Sequence, residues 1–301
     1  MNAVMGQCGK RKDIFIISGD AGLGVFDEFQ KKRPQQFLNL GVAEQNMAGF
    51  AAGMALSGYK VYVYNIIPFV LYRCYEQVRN DICYQRLPVT LVGIGSGVSY
   101  APQGMTHYAI EDIGLAHTLP NLTVFSPVDP VETAAAAEYS LRASGPVYVR
   151  LAKKGEPSLH QRRVPDIRQP QILREGREVA LICHGSIGVE AVKARDMLEK
   201  QGIVPQVISM PMVQPLLAGE LFAVCKPYKH VFSIEEHYAG CGLGSAIAKE
   251  YAQRHPAWKL HVLGIADTFV HEIKDTAGMR DHFGISARKI AERVLAELRK
   301  E

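Results

Sequence analysis

Short apolar runs that lack polar alternation recur along this chain, each followed by a segment of helical character. They are DIFIIS at residues 13–18, KVYVYNI within residues 37–79 and LPVTLVGIG at residues 87–95. A strand that loses the two-residue alternation is covered on both faces, the situation of a parallel sheet flanked by helices. Further strands are expected at residues 122–126 and 145–151, with a helix over 131–143 capped by Asp129. The alternation returns at residues 178–183, 204–210, 230–235 and 260–264 and ends in a helix over 286–300. Residues 153–177 carry Pro157, Pro165, Pro170 and mixed charge without either period, and read as a linker. The predicted fold is therefore α/β in two domains, 1–152 and 178–301, each a mostly parallel sheet flanked by helices.

Several function classes are set aside by composition. The net charge of +4 has no concentrated basic run behind it, so nucleic acid is not an expected partner. Apolar content of 48% with 21% charged residues is ordinary for a globular chain, and the most continuous apolar helical stretch, residues 47–56, is far shorter than the roughly 20 residues that cross a bilayer. Cys8, Cys74, Cys83, Cys183, Cys225 and Cys241 show neither C-x-x-C nor zinc-ligand spacing, and no secretory apolar segment precedes them. Reduced thiols in a cytoplasmic protein are the expectation.

The chemistry concentrates between Phe37 and Arg79. From Gly41 to Leu56 the only polar side chains are Glu44, Gln45 and Asn46, among glycines and alanines that let another backbone approach closely. Glu44 is expected to be at least partly buried, and a buried carboxylate needs a partner. The same residues also fit an acid that stabilises a helix N-terminus through the macrodipole. GDAGLG at residues 19–24 is a glycine-rich turn at a strand's carboxyl end, where open α/β sheets approach ligands. SGVSYAPQGMTH at residues 96–107 is a loop too polar and too rich in Gly and Pro for core, with His107 near its tip. That histidine reads either as ligand-facing or as a satisfied structural residue.

NLGVAEQNMAGFAAGMALSG resembles the pyrimidine-binding segment of transketolase and 1-deoxyxylulose-5-phosphate synthase. The resemblance implies that Glu44 hydrogen-bonds a ring nitrogen of the aminopyrimidine of thiamine diphosphate, that Phe69 stacks on that ring, and that Asp20 lies near the cofactor. An inserted residue between Phe69 and Arg73 leaves Tyr72 as an alternative stacking residue. The Gly-x-Thr-His loop implies that His107 contacts substrate hydroxyls; the acid usual three residues before that threonine is here Gln103. Arg150, at a strand's carboxyl end, matches an arginine that pairs with the substrate's terminal phosphate. Lys153 and Lys154 either add to that anion site or begin the linker.

EEH at residues 235–237, the glycine run after it and GIADTFVHE are similar to the carboxy-terminal domain of the same family, so the resemblance spans residues 13–295. The run GCGLG does not complete a dinucleotide fingerprint and reads as close helix-to-sheet packing. Gly19-Asp20-Ala21 with Asn46 imitates the family's diphosphate and magnesium motif but lacks its last glycine, so no metal ligand is assigned here. The diphosphate and Mg2+ are expected on a complementary amino-terminal chain, in an α2β2 assembly. The implied function is transfer of a two-carbon ketol unit between sugars or sugar phosphates by a split transketolase. Alternatives are the β subunit of a 2-oxoacid dehydrogenase, a deoxyxylulose-phosphate-synthase-like enzyme, and, from another class, a non-catalytic scaffold or regulatory subunit.

Overall fold

A computed structural model describes residues 1–153 and 155–300, so Lys154 lies outside the described residues. The first half of the chain supplies β1 (Ile14–Ser18), β2 (Phe37–Asn39), β3 (Lys60–Ile66), β4 (Val89–Ile94), β5 (Thr123–Phe125) and β6 (Val147–Leu151). These six pair in parallel throughout. The second half supplies β7 (Gln171–Arg174), β8 (Val179–Cys183), β9 (Gln206–Ser209), β10 (Met212–Gln214), β11 (His230–Tyr238) and β12 (Lys259–Ile265). One sheet runs β10-β5-β6-β4-β3-β1-β2 and the other β12-β11-β8-β9-β7. Every residue of β4, β8 and β9 is buried, as runs without alternation require.

Three features depart from the sequence reading. β7 lies inside the stretch read as linker and adds an antiparallel edge to the second sheet, paired with β9. β10, from the second half of the chain, crosses over and pairs antiparallel with β5 of the first sheet. Both are short and flank proline-containing segments, which hides their period. The 96–107 loop is also not uniformly exposed. Ser96, Val98 and Ala101 are fully buried, and Gly97, at φ +59°, lies so close to Glu236 that a Cβ there would meet its carboxylate oxygen at 2.3 Å.

The helix Glu44–Leu56 buries Glu44, Met47, Ala48, Ala51, Ala52 and Ala55. Those positions recur at three- and four-residue intervals, so they form one face, and their small side chains bring the helix close onto the sheet. Glu44 opens that face, which is why an acid in the first turn is only 4% exposed. After β3 the chain does not continue as one regular helix. Pro68–Tyr72 and Val78–Cys83 are π-helical, with Arg73 N donating to Pro68 O at 3.1 Å. A π turn is how a helix absorbs one extra residue, and it falls where the sequence reading places an extra residue between Phe69 and Arg73.

Candidate functional site

The carboxyl ends of β1, β3 and β4 open onto a cavity of about 360 Å³, lined among others by Asp20, Glu44, Asn65, Phe69, Arg73 and Tyr100. Its floor depends on glycine: a Cβ on Gly19 would meet Asn65 Nδ2 at 2.6 Å and Met47 Sδ at 3.1 Å. Asn65 Nδ2 donates to Gly19 O at 3.1 Å and ties the turn to β3. Asp20 sits at φ 54° on the exposed rim, its amide donating to Asn39 Oδ1 at 3.0 Å and its Oδ1 accepting from Asn39 Nδ2 at 3.3 Å. At the other end, Glu44 Oε2 accepts from Arg73 Nη1 at 2.7 Å, and the Arg73 guanidinium carbon stands 4.6 Å from the Phe69 ring centroid.

His107 reaches this group through aromatic contacts. Its ring lies 5.6 Å from that of Phe69 at 73° and 6.2 Å from that of Tyr100 at 66°, both edge-on. Thr106 Oγ1 is 2.9 Å from His107 Nδ1, which leaves Nε2 as the other polar end of the ring. Lys153 Nζ sits 5.2 Å from the Tyr100 ring centroid and lines the neighbouring pocket with Ser99 and Pro102.

The structure thus brings Asp20, Glu44 and Phe69 into one cavity with His107 adjoining. Gln103 is exposed on the turn Ala101–Gln103, upstream of His107 and outside the cavity lining. Tyr72 is not among the residues that line the cavity. Its hydroxyl donates to Glu111 Oε2 at 3.0 Å and accepts from Glu111 N at 3.2 Å. Burial pushes the Glu111 carboxyl up, and burial together with the nearby Asp112 and Glu111 charges holds the Tyr72 phenol well above its ordinary value.

Arg150 likewise stands outside the cavity lining. It is 2% exposed; Nε donates to Asp112 Oδ2 at 2.7 Å, and Nη2 to Ala109 O at 2.9 Å and Glu236 O at 3.2 Å. Its position in β6 turns the side chain into the seam between the two sheets, away from the cavity. Around it, His237 Nε2 accepts from Ile113 N at 3.1 Å while Nδ1 donates to Tyr238 O at 3.0 Å, a neutral ring whose proton affinity burial lowers. Glu235 accepts from the amides of Leu243 and Gly244 at 2.8 and 2.9 Å. The GCGLG run therefore closes a helix N-terminus over a carboxylate of its own chain. Arg73 was missed by the sequence reading; its signal was its place four residues after Phe69, on the same side of the turn.

Residues 1–156 match the family described as "Transketolase, pyrimidine binding domain", and residues 169–290 match "Transketolase, C-terminal domain". The chain belongs to the transketolase family. An apulose-4-phosphate transketolase subunit of Actinobacillus succinogenes is 37% identical over 284 residues, covering 93% of this chain and 91% of the relative. The 6-deoxy-6-sulfo-D-fructose transketolase subunit SqwH of a Clostridium species is 30% identical over 286 residues, covering 93% and 88%. Among solved structures, a split gene transketolase described as an inactive beta4 tetramer superposes with a TM-score of 0.86 at 30% identity, covering 98% of this chain and 95% of that one. The chain is a transketolase-type transferase subunit with the extent of one subunit of a split enzyme, and thiamine diphosphate is the cofactor of its family.

Proposed function

We propose that this chain is the pyrimidine-binding subunit of a split transketolase, moving a two-carbon ketol unit from a ketose that carries a terminal anion to an aldose. The observation that carries the proposal is the pairing of a buried carboxylate, Glu44, with the Phe69 ring at one end of the cavity. A flat heterocycle with a basic ring nitrogen fits that pair by stacking and by a charge-assisted hydrogen bond. Thiamine diphosphate, when bound, supplies the carbon nucleophile and electron sink for breaking a bond beside a carbonyl.

Glu44 holds or releases a proton at that ring nitrogen, shielded from water by its helix face. Phe69 fixes the plane of the ring, and Asp20 stands at the rim where the cofactor enters. His107 presents its free ring nitrogen to hydroxyls of the sugar chain, and Gln103 offers an amide beyond it. With Arg150 committed to the seam, Lys153 beside Tyr100 is the cation placed to meet a distal phosphate or sulfonate. The two relatives named for apulose-4-phosphate and for 6-deoxy-6-sulfo-D-fructose support an anionic donor.

A complementary subunit supplies the diphosphate and magnesium site in an α2β2 assembly. The end-to-end match with single subunits of split enzymes supports it, as do Leu23 and Val42, apolar cavity-lining residues that are 98% and 75% exposed at the mouth. A cytoplasmic enzyme is the accompanying expectation; no helix among the described residues is long and apolar enough to cross a membrane. The test is reconstitution: ketol transfer should appear only when this chain, its complementary subunit, Mg2+ and thiamine diphosphate are combined. Full activity of the isolated chain would contradict the split-enzyme reading.

A further inference from the structure

The Glu44 carboxylate already has a partner, and that partner has the shape of the group the site is proposed to take. The Arg73 guanidinium is flat, donates from Nη1 to Glu44 Oε2 at 2.7 Å, and stacks with its central carbon 4.6 Å from the Phe69 centroid. An aminopyrimidine seated in the same cavity uses the same carboxylate and the same aromatic ring. The Arg73 head thus already holds one oxygen of Glu44 and one face of Phe69 within the lining of that cavity. We infer that Arg73 is a built-in occupant of the pyrimidine place, which the cofactor must displace from Glu44 and Phe69 before it can seat. The inference rests on the functional reading above.

The surroundings hold the Arg73 backbone and leave its side chain half-exposed. Arg73 N donates to Pro68 O across the π turn, and Gln45 Nε2 donates to Arg73 O at 3.2 Å. The side chain itself is 45% exposed, against 4% for Glu44, so the guanidinium can swing into solvent without unpacking the core. Phe69 and Arg73 stand four residues apart across this π turn, and both line the cavity.

Two consequences follow for the chain's own residues. Without cofactor, Arg73 keeps a buried carboxylate from standing as an uncompensated charge, the costly state for such a group. With cofactor, binding becomes an exchange of one Glu44 partner for another, so the observed affinity is the intrinsic affinity reduced by the fraction of molecules in which Arg73 has left. Arg73 is thus a positioning residue that sets how readily Glu44 accepts the ring.

The test uses the assembled complex with its complementary subunit, thiamine diphosphate and Mg2+, read by titration calorimetry for affinity and by melting temperature with and without cofactor. Arg73→Met keeps length and removes the donor. The expected result is a lower melting temperature without cofactor, a larger rise on saturation, and a dissociation constant about two- to fivefold smaller than wild type, the size of a released, partly exposed ion pair. Arg73→Lys, which keeps the charge but cannot stack as a plane, provides the same reading if the methionine variant fails to assemble, with a smaller gain in affinity expected. Unchanged or weaker binding in the folded variants overturns the inference and makes Arg73 a bystander or a cofactor ligand. Absence of saturable binding by wild type, or wild-type affinity in Glu44→Gln, would instead overturn the functional reading on which the inference rests.

Discussion

Arg150 and Asp112 meet in the seam between the two sheets, Nε to Oδ2 at 2.7 Å, with side chains 1% and 0% exposed. The Tyr148 hydroxyl donates to the same Asp112 oxygen at 2.7 Å, and Arg150 also binds the carbonyls of Ala109 and Glu236. The residues just after His107 are thereby fastened to β11 of the second sheet.

Arg150→Met should leave Asp112 buried without its cation, at a cost of about 3–5 kcal/mol by the usual penalty for breaking a buried pair. A large drop in melting temperature is expected, while the ratio of kcat/KM for anionic and neutral ketol donors stays unchanged in the folded fraction. An unchanged melting temperature with a raised KM for anionic donors alone would return Arg150 to the substrate.

A second buried cluster predicts a pH dependence of stability. Glu132 is fully buried and its Oε2 accepts from Val128 N at 2.8 Å; neighbouring Asp129 accepts from the amides of Leu159 and His160 at 2.8 and 2.9 Å. Burial pushes Glu132 up to about 7 from 4.5. Between those values the unfolded chain has released a proton that the folded chain retains, so stability falls as pH rises from 4.5 to about 7, by about 3 kcal/mol in all. At His160, burial acts downward but the Asp129 hydrogen bond and nearby carboxylates outweigh it and raise the group above 6.5. Its contribution is full below 6.5 and is lost as pH rises through the folded value, in the same direction. At Asp129, burial acts upward but hydrogen bonds from His160 and from backbone amides outweigh it and hold the carboxyl well below 3.8, so its contribution is constant across this window. Melting temperature should therefore fall from about pH 5 to about pH 7.5, and Glu132→Gln should flatten the fall. Parallel curves for wild type and variant would show that Glu132 carries no such term.

Much of this architecture was legible because its signals are local. Ile14–Ser18 of DIFIIS became β1 with every residue but Phe15 buried, and Asp129 caps its helix with Oδ1 accepting from Glu132 N at 2.9 Å. The burial of Glu44 followed from the glycines and alanines around it, and it shares the buried helix face of Met47, Ala48, Ala51 and Ala55. What failed depended on partners distant in sequence. β10 needs β5, some 90 residues away, to be a strand. Arg150 stands at the carboxyl end of its strand as expected, but which face it takes is decided by Asp112 and Glu236. That Phe69 and not Tyr72 lines the cavity depends on the π turn, whose register no sequence period announces.

His107 should act on the sugar and not on the cofactor. His107→Ala is expected to lower kcat/KM for the ketol donor by about 10²–10⁴, the range for positioned acid-base groups, with cofactor affinity and melting temperature near wild type. A loss of activity that merely tracks a loss of folded protein would assign His107 to structure, as its contacts with Phe69 and Tyr100 allow.

The most direct measurement of the proposed chemistry is exchange of the cofactor's C2 proton for deuterium in the assembled complex, with melting temperature measured alongside. Glu44→Gln removes the ionisable proton carrier while keeping the side chain's shape. The account predicts that exchange slows by at least about 10²-fold in the folded variant, while His107→Ala exchanges at the wild-type rate. Wild-type exchange in a well-folded, cofactor-saturated Glu44→Gln complex would contradict it.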